Sequence, residues 1–242
     1  MLVVLGLSLG RSAVYSVLSL ADKLTKEVPL AQQTTSINTS ATPERPWLDL
    51  AYQLANLVFP LMPVALVFYL MWVWQRPHGG PFRRMGFDLR RPGFDLGVGS
   101  LVFAGIGAGG ILLYLAAREL GLNTTVAAAN LAEAWWTIPV LVLRAVMNGV
   151  LEEVVMVGYL FTRWRQAGGR TATVLVGSAL IRGAYHLYQG FGGFAGNLIM
   201  GLLFGWLYLR TKRVMPLVVV HSLLDIAAFV GYALLKPHLS WL

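Results

Sequence analysis

The sequence predicts an all-α fold, a polytopic transmembrane bundle of about seven membrane-spanning helices. Three observations carry that reading. Only 12% of the 242 residues are charged and 57% are hydrophobic, against about 25% and about 45–50% in soluble domains. Apolar runs recur at bilayer length, since a hydrocarbon core of about 30 Å takes about 20 residues of helix. Lys and Arg gather between alternate runs, as they do in cytoplasmic loops.

The runs are taken in chain order. The first, 2–21, lacks a basic leader, and Ser19-Leu20-Ala21 is a poor small-x-small cleavage site, so a retained helix is expected rather than a cleaved signal peptide. The second, 48–74, ends in "QRPHGGPFRRMGFDLRRPGFD", which holds Arg76, Arg83, Arg84, Arg90 and Arg91. The third is 96–117. The fourth, 135–162, opens on Trp135-Trp136, an interfacial aromatic anchor, with Pro139 in its first turn, where a missing N–H costs nothing. Arg163, Arg165 and Arg170 follow it. The fifth and sixth are 172–189 and 195–210, and Arg210, Lys212 and Arg213 precede the seventh, 215–235. Seven spans put all three basic clusters on one side. A multi-pass protein of the cell membrane then has its N-terminus in the cytoplasm and its C-terminus outside, with the polar loops 22–46 and 118–134 also outside. The small-xxx-small pairs Gly6/Gly10, Gly105/Gly109 and Gly201/Gly205 are expected to let helices pack closely. No repeat or linker divides the chain, so 1–242 reads as a single transmembrane domain.

The net charge of +8 does not indicate nucleic acid, because the basic residues are topology clusters and no aromatic-basic strip accompanies them. Membrane lipid is the expected surrounding. The absence of cysteine excludes disulfides, cysteine nucleophiles and thiolate metal sites.

Ionisable residues inside a membrane cost about 2.5–3.5 kcal/mol each on insertion scales and mark function by default. Away from helix ends the set is short: Arg144, Asn148, Glu152 and Glu153 on the fourth run, Arg182 and His186 on the fifth, His221 and Asp225 on the seventh. Arg182/His186 and His221/Asp225 are each four apart and would share a helical face, whereas Glu152 and Glu153 point about 100° apart. At ~1.5 Å of rise per residue the groups meet near middle depth. Ion pairing such as Glu153 with Arg182 would staple the bundle, but two histidines add little to that. A carboxylate beside imidazoles is what water activation needs: the carboxylate takes a proton and the rings hold water or an oxyanion. There is no HExxH. Two histidines and a glutamate are also a zinc ligand set, and that alternative stays open on the residues alone.

The polar motifs resemble those of the CPBP family of intramembrane endopeptidases (CAAX proteases and bacteriocin-processing enzymes), which includes Rce1-type proteins. The family pattern is EExxxR, FxxxH and Hxxx(N/D) on separate helices. Here "EEVVMVGYL" starts at Glu152, "RGAYH" ends at His186 and "HSLLD" runs from His221 to Asp225. The resemblance covers roughly 135–235, the expected catalytic core, and leaves 1–134 undiagnosed. It implies Glu152 as the base that activates water, His186 assisting, His221 and Asp225 at the oxyanion site, and no required metal. It implies a membrane-associated peptide or protein substrate, such as a prenylated tail or a leader peptide.

Two positions depart from the pattern. Val157 stands where the family arginine is expected, and Arg182 where phenylalanine is expected. Read together they suggest that Arg182 replaces the missing arginine as the partner of Glu153. The expected activity is peptide hydrolysis in a water-filled cavity opening to the cytoplasm or laterally to lipid. The rivals are a non-catalytic scaffold or immunity protein of the same fold and, less favoured without an inverted repeat, a proton-coupled transporter.

Overall fold

The computed structural model describes residues 1–74 and 80–238; Arg76, counted above in the first basic cluster, lies outside them. Among the described residues four stretches are long and apolar enough to cross a membrane: Pro46–Trp74, Pro92–Glu119, Phe191–Thr211 and Met215–Leu235. The all-helical expectation holds, but the count of seven full-length spans does not follow, because the other three runs are broken, bent or short.

The first run breaks into α1 (Leu2–Gly6) and α2 (Leu9–Leu24). Ser8 leaves helical geometry, and its hydroxyl donates to the Val4 carbonyl at 2.6 Å. A strand, β1 (Thr34–Ser36), precedes α3 (Pro46–Val58), which passes through one tight turn into α4 (Met62–Trp74). α5 (Pro81–Met85) is a single short helix, and α6 (Pro92–Glu119) is the longest. Proline at the first positions of α3, α5 and α6 sets φ where no N–H is needed. β2 (Thr125–Ala127) pairs in parallel with β1, Thr34 opposite Thr125. Both strands lie within the polar loops 22–46 and 118–134, where the helical period gives no signal for them.

The fourth run is not one α-helix. α7 (Thr137–Glu152) passes into a π-helical turn, Glu153–Tyr159, and then into α8 (Leu160–Gln166). The π turn is buried along its whole length and forms the centre of the apolar core with Val64, Met71, Met85, Phe161, Phe204 and Leu217. α9 (Thr171–Ala184) is shorter than its run, and a 3₁₀ turn, Leu187–Gln189, follows. α10 (Phe191–Thr211) and α11 (Met215–Leu235) complete the bundle.

Glycines decide two of the helix crossings. A Cβ on Gly149 of α7 would meet the Ser222 hydroxyl oxygen of α11 at 2.8 Å, and one on Gly201 of α10 would meet the Ala179 backbone of α9 at 2.8 Å. The Gly201/Gly205 pair therefore packs as its spacing suggests, whereas Gly6, Gly105 and Gly109 have nothing within 4 Å and face outward. Trp135 is exposed and meets Trp47 edge-to-face, but Trp136 is 2% exposed and belongs to the interior rather than to an interfacial anchor.

Each end of the bundle has its own fastening. At the basic-turn end, Arg213 forks onto both carboxylate oxygens of Asp95 at 2.6 and 2.7 Å and reaches Asp88 at 3.1 Å. Burial pulls the Asp88 carboxyl up, but the Arg90 amide and the Arg213 guanidinium outweigh it and hold it below the usual carboxylate range. At the strand end, Arg144 of α7 donates to Asn38 and Gln53, and Gln53 donates to Asp49. Asn38 and Asn123, which head N-x-S/T triplets, are both buried there and spent on hydrogen bonds within the fold.

Candidate active site

Three helices and one turn bring the polar residues together. Glu152 ends α7 and Glu153 begins the π turn, so the adjacent carboxylates sit at a change of helical register. Such single π turns concentrate at functional sites. Arg182 lies in the last turn of α9, and His221 and Asp225 lie one turn apart on α11.

Glu153 is fully buried, and its Oε1 accepts two bonds, from Arg182 Nη2 at 2.6 Å and from His221 Nδ1 at 2.7 Å. The Arg182–Glu153 pair suggested by the two motif departures is therefore present. A buried carboxylate needs such partners, because an unpaired charge in a low-dielectric interior costs several kcal/mol. Val157, where the family arginine was expected, is 1% exposed in the apolar core.

Glu152 is placed differently from the expectation. It was expected to aim at the histidines, but its bond comes from Tyr185, whose hydroxyl donates to Oε2 at 2.6 Å. Arg182 Nη1 stands 3.6 Å from the same oxygen and His221 Nε2 stands 3.9 Å away. His221 Nε2 is also 3.9 Å from Asp225 Oδ1, while Asp225 Oδ2 accepts from Asn148 at 2.9 Å. These 3.9 Å gaps are too long for direct bonds and suit a bridging water.

His186 does not share a helical face with Arg182. α9 ends at Ala184, and His186 begins the turn beyond it. Its ring lies 4.8 Å from the Tyr185 ring and 6.0 Å from the Tyr188 ring, centre to centre. Nδ1 is 3.4 Å from Gln189 Nε2, and the buried Nε2 has no protein partner. The i, i+4 spacing thus brought His186 to the right region by the wrong geometry.

The turn carrying His186 is gripped from the N-terminal half. The Tyr188 amide donates to Ser16 at 2.6 Å, and its carbonyl accepts from Lys23 at 2.9 Å and Thr35 at 3.1 Å. The Gln189 carbonyl accepts from the Thr124 amide and hydroxyl at 2.9 and 3.0 Å. Gly190 follows at φ 117°, a region closed to most side chains, and a Cβ there would meet the Leu122 carbonyl oxygen at 2.6 Å. None of these residues stood out in sequence, since Ser16, Thr35 and Thr124 read as ordinary polar positions.

Glu152, Glu153 and His221 offer one ligand atom each within 4.8 Å of one another. Arg182 already stands among them, at ion-pair distance from both carboxylates. A divalent cation would have to share that space with a guanidinium, so the donor set fits a metal poorly.

Residues 134–227 match the family model for type II CAAX prenyl endopeptidase Rce1-like proteins. This region is Rce1-like. The match takes in every member of the cluster from Asn148 to Asp225 and none of the residues that grip the His186 turn from α2, β1 and Thr124. No curated protein and no solved structure matches the chain. The matched family is one of CAAX-type endopeptidases, and the match covers 94 of the 242 residues.

Proposed function

We propose that the chain hydrolyses peptide bonds within the membrane by a water that Glu152 activates. The observation that carries this is the unequal state of the two adjacent carboxylates. Glu153 is fully enclosed and its Oε1 is held by both Arg182 and His221, whereas Glu152 keeps one fixed donor, Tyr185, and an 11% exposed side chain. Glu153 thus serves as the counter-ion, and Glu152 is the base that water can reach.

In the proposed reaction Glu152 takes one proton from water as the hydroxide oxygen bonds to the scissile carbonyl carbon. The carbonyl oxygen becomes an oxyanion, met by the free Nε2 edge of His186 or by His221 Nε2. The C–N bond then breaks, and the amine leaves with the proton that Glu152 returns. Asp225, held by Asn148, orients His221. No covalent intermediate forms. The positive charge at the site is that of Arg182, and no metal is used.

Purified protein in liposomes should cleave a farnesylated CAAX peptide or a member of a fluorogenic transmembrane-peptide panel. Glu152→Gln and His186→Ala should abolish that signal, and a chelator should leave it unchanged. Cleavage equal in wild type and Glu152→Gln would overturn the reading. It would instead favour a scaffold of the same fold, in which the cluster only staples helices.

A further inference from the structure

The site is closed toward one end of the bundle and reachable toward the other. On the side of the basic turns, the π turn leaves no opening: Glu153, Val154, Val155 and Met156 are 0% exposed and Val157 and Tyr159 are 1%. A Cβ on Gly158 would meet Met85 Sδ at 2.7 Å and Val214 at 3.1 Å, so α5 and the turn before α11 press directly on that segment. Val214 and Leu217 are themselves 0% exposed.

Toward the strands the burial pattern reverses. Asn148 lies one turn from Glu152 in the direction of the α7 N-terminus, whose neighbour Arg144 bonds Asn38 beside β1. Asn148 is half-buried, and its partner Asp225, one turn past His221 in the same direction, has a 21% exposed side chain. His186, Tyr188 and Gln189 are half-buried as well and lie against Thr35 and Thr124. The partly exposed polar groups of the cluster therefore lie level with Glu152 or on its strand side.

We propose that the site receives its substrate from the strand-bearing side, as a peptide segment whose scissile bond lies in the half of the membrane away from the basic turns. Under the Lys/Arg rule that half is the outer one. The substrate class is then a membrane-embedded peptide segment that reaches the site through that half of the bilayer. The identity of the substrate as a peptide rests on the protease reading above; the direction of access does not.

The chain has no cysteine, so single-cysteine variants need no prior engineering. Asn148→Cys and Gln189→Cys would report the site. Glu44→Cys, on the exposed loop after β1, and Arg165→Cys, exposed in the last turn of α8, would mark the two faces. A membrane-impermeant maleimide is added to one face of oriented vesicles. Asn148→Cys and Gln189→Cys should label at least tenfold faster from the face that labels Glu44→Cys than from the face that labels Arg165→Cys. Labelling from the Arg165 face, or from neither, overturns the proposal. Labelling requires no turnover, so its failure leaves the protease reading standing, and loss of the protease reading leaves the accessibility result standing.

Discussion

Glu152 and Glu153 are one residue apart and call for opposite outcomes on neutralisation. Glu153→Gln removes the anion between Arg182 and His221 and strands a buried guanidinium, which should cost about 3–5 kcal/mol of stability. Denaturant titration in detergent micelles measures it. Glu152→Gln should leave the protein folded and lower cleavage by about 10²–10⁴-fold, the range for a lost general base. Tyr185→Phe tests the remaining contact: it removes only the hydroxyl that holds Glu152, so turnover should fall while KM moves little. Glu152, Glu153, Arg182, His221 and Asp225 could be singled out in sequence because a charge in an apolar run is conspicuous. Tyr185 could not. A tyrosine inside an apolar stretch reads as core, and only its neighbour His186 drew notice. The available signal is chemical: a buried phenol usually finds an acceptor, and two carboxylates were already expected nearby.

The elements explain where spacing succeeded and where it failed. His221 and Asp225 lie on an uninterrupted α-helix, so their four-residue spacing translated directly into a shared face. The same spacing failed for Arg182 and His186 because α9 stops at Ala184, and what fixes that end is the grip of other elements on the next turn, which no local pattern reveals. The π turn was equally hidden, since its residues read as continuous helix. Its register places Val157 in the core, and the arginine exchange can be tested across the two helices. Arg182→Phe should lose activity and stability, and adding Val157→Arg should recover part of both; no recovery would count against the exchange. The Arg213 latch carries a separate prediction. A carboxyl held below its unfolded value contributes stability that is complete above that value and is lost as pH falls through the folded one. The destabilisation caused by Asp88→Asn should therefore be constant near neutrality and shrink as pH falls below roughly 4, as followed by thermal unfolding.

Across the whole molecule, the half of the chain without a diagnostic motif turns out to build the site. α2 and the strand pair hold the His186 turn, so Ser16→Ala combined with Lys23→Ala should lower kcat about tenfold with the bundle still folded, read as unchanged near-UV circular dichroism. Membrane class and helical fold were legible because composition and run length are global properties. The number of full spans was not, because an apolar run does not disclose a kink at Ser8 or an early stop at Ala184. The grip on Tyr188 also constrains biogenesis. Lys23 waits 165 residues for the carbonyl it binds, and His221, on the last helix, completes the shell around Glu153. A ribosome adding about 5–20 residues per second leaves the early helices in the bilayer for many seconds before either contact can form. During synthesis the glutamates enter the membrane without their histidine, and the shell around Glu153 stays incomplete until α11 has been made.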